Sequence, residues 1–215
     1  MTGKIDPQKV LRLLRGEYPA APKTSLTWGN PLQLLVATIL SAQCTDERVN
    51  KVTVDLFRKY ISASDYANAD LRKLEKDVRS TGFYRNKARN IKAAAAMIVR
   101  DFEGKVPESM EDLIKLPGVA RKTANIVLTA GYGRVEGVAV DTHVRRLSGR
   151  IGLSRSDDPV KVERELMALY QRKDWADINM LLVAHGRKVC NARKPLCRQC
   201  MLDRICPRVG VKAIN

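Results

Sequence analysis

Apolar residues recur along most of this chain at the three- and four-residue intervals of an α-helix, and alternating strand-like runs are scarce. Asp6-Pro7 reads as an N-cap followed by proline, ahead of Val10, Leu11, Leu13 and Leu14. A loop interrupted by proline and glycine runs from Tyr18 to Asn30. Pro31 then opens Leu32–Cys44, apolar on nearly every side and therefore predicted to be a central buried helix, with Cys44 a buried thiol. Helical spacing continues over Arg48–Tyr60, over Leu71–Val78 ending at Gly82, and over the Ala-rich Asn86–Val99 with Arg and Lys on one side. Ser109-x-x-Asp112 resembles a capping box before Leu113 and Ile114. Ala120–Ala130, Thr142–Ile151, Val160–Tyr170 and Trp175–Val189 complete the pattern, and Val135–Val140 is the best strand candidate but reads equally as loop. The expectation is an all-α fold of about ten helices.

The 215 residues fit two ordinary domains or one large one, and 45% hydrophobic content supports a core and excludes wholesale disorder. No apolar run near the start suggests a signal peptide, and Leu32–Leu40 is about half the roughly 20 residues of a membrane span. A soluble cytosolic protein is expected. Thirty-nine Lys and Arg against 23 Asp and Glu leave a formal charge of +16, which points to a polyanionic partner, nucleic acid before an anionic membrane. The excess falls in three segments, 79–105, 115–150 and 185–215, interleaved with apolar helices. They suit either a surface converging on a phosphate backbone or three solvated helix faces.

Four of the five cysteines, Cys190, Cys197, Cys200 and Cys206, form C-x6-C-x2-C-x5-C, which in a cytosolic chain reads as a metal site. Thiolates at this spacing suit zinc or an iron–sulfur cluster about equally. The loop between the first two carries Arg193 and Lys194, which it can hold against a phosphate.

The sharpest local feature is Leu116-Pro-Gly-Val-Ala-Arg-Lys-Thr-Ala-Asn125, two helices joined by a tight Pro-Gly turn. The second helix begins with N–H groups aimed outward at Gly118, Val119 and Ala120, a site for a phosphate of any sequence. Arg121 and Lys122 in its first turn oppose the helix dipole, which suggests a role beyond structure. A partly desolvated Lys122 amine can attack a sugar's anomeric carbon, displace a base and leave a Schiff base that eliminates the 3′ phosphate. Asp141, between apolar residues, offers the carboxylate such chemistry needs, and it equally suits an N-cap for the helix that follows. His143 and His185, the only histidines, read first as hydrogen-bonded structural residues.

LPGVARKTAN, followed by VDTHVRRLSGRIGL and the C-terminal cysteines, with LSAQCTD (Leu40–Asp46) and TGFYRNKARNI (Thr81–Ile91) before them, resembles the endonuclease III family of DNA glycosylases over nearly the whole chain. The resemblance implies a six-helix domain over 23–134 containing a helix-hairpin-helix, a second domain from 1–22 plus 135–215 holding a [4Fe-4S] cluster on the four cysteines, and DNA between them. It implies Lys122 as nucleophile and Asp141 as essential carboxylate. Gln43 fills the gap left by an extruded base, and Phe83 wedges into the stack, although core packing suits Phe83 equally. Thr142 and His143 join Arg121, Arg193 and Lys194 as expected DNA contacts. The implied function is excision of oxidised pyrimidines followed by strand nicking at the abasic site. The partner is double-stranded DNA carrying damaged pyrimidines or abasic sites, and the chain is expected to be monomeric, cytoplasmic (nucleoid-associated in a bacterium) and free of membranes. One departure is Ala120, where the hairpin often has a third-position glycine.

Overall fold

The computed structural model describes residues 5–19 and 24–211. Part of the loop expected over 18–30, and the expected boundary at 22 and 23, lie outside the described residues. Eleven α-helices occur among the described residues, and no strand does: α1 Pro7–Glu17, α2 Pro31–Leu40, α3 Asp46–Lys59, α4 Ala63–Asn68, α5 Leu71–Asp77, α6 Tyr84–Asp101, α7 Met110–Leu113, α8 Arg121–Ile126, α9 Thr142–Ile151, α10 Pro159–Leu169 and α11 Trp175–Lys188. The all-α expectation holds, with one helix more than anticipated. Val135–Val140 is loop.

Capping explains most of the helix starts. Asp6, Asn30, Thr45, Ser62, Asp70, Ser109, Asp141 and Asp158 each accept a backbone N–H of the first turn. Proline follows the cap in α1, α2 and α10. The full reciprocal box forms at Ser62 and Asp65, a site the sequence reading passed over. Three expected boundaries move. The apolar helix stops at Leu40, three residues before Gln43 adopts φ 52°, and Cys44 is half-buried rather than buried. The helix after the Pro-Gly turn widens into a π-helical turn over Val127–Gly131. The Ala-rich helix is longer than expected, and two of its lysines, Lys87 and Lys92, turn inward to backbone carbonyls.

The chain divides into two compact units. The unit of residues 24–134 packs α2, α3, α4, α5 and α6 around Leu34, Leu35, Leu40, Tyr66, Leu74, Ile91 and Ile98. Burying each such side chain contributes about 1.5–3 kcal/mol before conformational entropy is charged against it. The other unit joins the N-terminal helix to residues from 135 onward, with Leu11, Leu14, Val144, Leu147, Leu166 and Leu182 at its centre. There the Arg15 guanidinium fastens α1 to α11 through Asp174 and Asp177, both at 2.6 Å. No helix among the described residues is long and apolar enough to cross a membrane.

Candidate nucleic-acid interface and cysteine loop

In the unit of residues 24–134, α7 and α8 form the hairpin. The Val119 N–H closes the turn on the Leu116 carbonyl at 3.1 Å, and Val119 itself is buried, anchoring the turn. Gly118 stands at φ 79°, and a Cβ there would come within 2.8 Å of Asn90 Cβ and Nδ2 on α6. Only glycine fits, for reasons of both backbone and space. No side chain caps α8, whose N-cap is Ala120 with its methyl exposed. Lys122, in the first turn, is exposed rather than partly desolvated as the sequence reading supposed. The short α8 buries Ala124 and Asn125 and leaves Lys122 exposed.

Gln43 and Phe83 lie in the same unit on two different loops. Both are exposed, Phe83 by 63%, and both adopt left-handed backbone at φ 52° and 46°. Core packing for Phe83 is thereby excluded. Its carbonyl starts α6 by accepting the N–H groups of Asn86 and Lys87, so the ring is presented at the head of a long helix.

In the other unit, Asp141 is half-buried and caps α9, its Oδ1 accepting the Val144 N–H at 2.8 Å. A carboxylate has a second oxygen, so capping leaves it an acceptor for chemistry. Thr142 is exposed. His143 is half-buried beside Arg146, with Nδ1 and Nη2 3.1 Å apart. Burial holds its imidazole below the usual histidine range, partly countered by Asp141 and reinforced by Arg146 and Arg187. Gly186 on α11 makes room for this ring, since a Cβ there would sit 2.7 Å from His143 Nδ1.

The four cysteines line one pocket, together with Arg150, His185 and Leu202. No three potential ligands gather closely enough for a single metal ion among the described residues. Burial lifts the Cys200 thiol to about 11 and pushes Cys206 up as well. N–H groups approach the sulfurs: Leu202 backbone N–H to Cys200 Sγ at 3.4 Å, and Arg150 Nη1 to Cys190 Sγ at 3.5 Å. Two arginines one turn apart on α9 hold the backbone here. Arg146 donates to the carbonyls of Gly186 and Cys190, and Arg150 to those of Asn191 and Ala192. The sequence reading did not single them out, although their i, i+4 spacing in a half-buried helix is a usable signal. Arg193 and Lys194 follow directly and are exposed.

The model of the HhH-GPD superfamily of base excision DNA repair proteins matches residues 36–172. The chain is 53% identical over 199 residues to "Endonuclease III" of Synechocystis sp. (strain ATCC 27184 / PCC 6803 / Kazusa), covering 93% of this chain and 90% of that one. To "Endonuclease III" of Bacillus subtilis (strain 168) it is 46% identical over 196 residues, covering 91% and 88%. Two solved structures, a trapped endonuclease III–DNA covalent intermediate and a non-covalent endonuclease III–DNA complex, each superpose with a TM-score of 0.89 at 43% identity over 94% of both chains. A thermostable thymine-DNA glycosylase shares the fold, with a TM-score of 0.84 at 21% identity over 94% of this chain and 95% of that one. The chain belongs to the HhH-GPD superfamily of base excision DNA repair proteins, within its endonuclease III branch.

Proposed function

We propose that this protein is a bifunctional DNA glycosylase and abasic-site lyase that removes oxidised pyrimidines from duplex DNA and nicks the strand by β-elimination. The observation that carries the reading is Lys122, an exposed amine in the first turn of an uncapped hairpin helix. It stands in a chain 43% identical to a protein whose covalent DNA intermediate has been trapped.

The nucleotide is first rotated out of the stack, since C1′ is shielded within the duplex. Gln43 and Phe83, two exposed side chains on strained backbone, are suited to take the vacated space. Lys122 Nζ, having given up a proton, bonds to C1′ while the N-glycosidic bond breaks and its electron pair leaves with the base. Asp141 receives the lysine proton or faces the positive charge that builds on the sugar. The adduct nitrogen loses a further proton, and its lone pair forms C=N as the C1′–O4′ bond breaks and O4′ takes up a proton; the protonated imine acidifies C2′–H, and loss of that proton breaks the C3′–O bond and expels the 3′ phosphate.

The four cysteines fit a [4Fe-4S] cluster better than zinc. They line one pocket and receive N–H groups at sulfur, as cluster thiolates do. When bound, the cluster supplies a structural cross-link and a charge that favours thiolate over the burial-stabilised thiol. Arg146 and Arg150 then set the loop that offers Arg193 and Lys194 to phosphate. The cytoplasm is the compartment where such thiols stay reduced and chromosomal DNA is at hand.

Borohydride trapping on a duplex with one oxidised pyrimidine tests the nucleophile: a covalent adduct forms with the native chain and not with Lys122→Gln. Normal trapping and nicking by that variant would refute the assignment. Iron and sulfide analysis tests the cluster, and zinc without sulfide would overturn it.

A further inference from the structure

We infer that Lys87 is a positioning residue for base extrusion, a buried cationic clamp that ties the Gln43 loop to the Phe83 loop. The inference rests on the extrusion roles given above to those two side chains. Lys87 is 4% exposed, and its Nζ donates to the Leu40 carbonyl and to the Thr81 carbonyl, both at 2.7 Å. Leu40 ends α2 and stands three residues before Gln43; Thr81 stands two residues before Phe83. One ammonium therefore fixes the chain just upstream of both exposed probes.

Each probe occupies left-handed backbone that is unfavourable for a side-chain-bearing residue. Such conformations persist only where the surroundings over-determine them. An ammonium at the carboxyl end of α2 also meets the negative end of the helix dipole. Burial disfavours the charge of Lys87, a cost that a surface lysine on α6 would avoid. Methionine would fill the same volume without that cost but would take this donor from the Leu40 and Thr81 carbonyls, so the charge serves to hold those two points of the chain.

The test compares two reactions of the same enzyme. Excision of thymine glycol from duplex requires extrusion of a stacked base; cleavage of a preformed abasic site does not. Both are measured under single-turnover conditions, with active enzyme counted by borohydride trapping. Lys87→Met is expected to lower excision about tenfold more than abasic-site cleavage, because extrusion has lost its support. Lys87→Arg, which keeps a cation with several donors, is expected to recover most of the ratio. Equal loss in both reactions, or arginine performing no better than methionine, would overturn the clamp. Hydrogen exchange on the native chain needs no folded variant: amides over 41–44 and 82–84 are expected to open together, and independent opening refutes the inference. Should the native enzyme itself release no base, the glycosylase reading fails instead, which separates the two failures.

Discussion

Gly118→Ala tests the hairpin most directly, because the structure supplies both parts of its cost. At φ 79° an alanine pays the left-handed penalty, about 1–2 kcal/mol. Its Cβ would also sit 2.8 Å from Asn90 Cβ. That atom is fixed to the α6 backbone and cannot rotate away, unlike Nδ2 at the same distance. Relieving such an overlap by moving helices costs roughly 1–3 kcal/mol more. A double-mutant cycle separates the two parts. Asn90→Gly alone costs a few tenths of a kcal/mol in helix propensity, roughly the difference between glycine and asparagine, and it removes the three atoms nearest the new methyl. The double variant is therefore expected to be more stable than the sum of the singles by the overlap, roughly 1–3 kcal/mol, leaving the backbone penalty in place. Urea unfolding followed by circular dichroism gives the global value. Hydrogen exchange at α7 and α8 gives the local one, which matters because two cores can open separately. The single variant should also bind undamaged duplex less tightly, since the turn that faces a phosphate has moved. A cost for Gly118→Ala well below about 1 kcal/mol, or no coupling to Asn90→Gly, would refute the reasoning.

Asp141→Asn should leave stability within about 0.5 kcal/mol, because asparagine caps nearly as well. Base excision should nevertheless fall about a hundredfold or more; a large drop in the urea midpoint would reduce Asp141 to a structural residue. His143 has a folded pKa below its ordinary 6.5, so in that interval the unfolded chain binds the proton more readily. Stability is then full above the interval and falls on acidification through it, and His143→Gln should flatten the urea midpoint against pH there; an unchanged slope counts against a buried neutral imidazole. Replacing Arg193 and Lys194 by Ala should weaken damaged and undamaged duplex alike and reduce the slope of log affinity against log salt by about 2. Loss confined to damaged DNA would contradict a phosphate-positioning role.

Helix content was legible because capping and periodicity agree along the chain. Asp6-Pro7 and Asp158-Pro159 each announce a helix that forms where they stand. The Leu40 stop was not legible, since the apolar pattern of Leu32–Cys44 carries on past Leu40 and the end is set by the turn into Gln43. Nor was the π-helical turn after Ile126, which depends on packing rather than on residue type. At the site, the chemistry-bearing residue types were visible but their solvent exposure was not. Phe83 read equally as core, and Lys122 read as partly desolvated, because exposure depends on what covers a residue from distant parts of the chain. Lys87 was hidden for the opposite reason: in a stretch with five other basic residues between 79 and 100, nothing local marks Lys87 and Lys92 as the two that turn inward.

Several of the places where local rules are broken lie on the surface assigned to DNA. Eight of the eleven described α-helices carry a side-chain cap, yet α8, which bears Lys122, has alanine at that position and cations in its first turn. Four non-glycine residues have positive φ among those described, and two of them are Gln43 and Phe83. At these positions local consistency would obstruct function. A serine or aspartate cap on α8 would occupy the N–H groups a phosphate needs, and aspartate would add a charge that repels it. Relaxed backbone at Phe83 would let its ring fold back onto apolar neighbours instead of standing 63% exposed. The fold thus accepts a local cost at each exception, and the buried Lys87 charge is the cost that holds two of them in place.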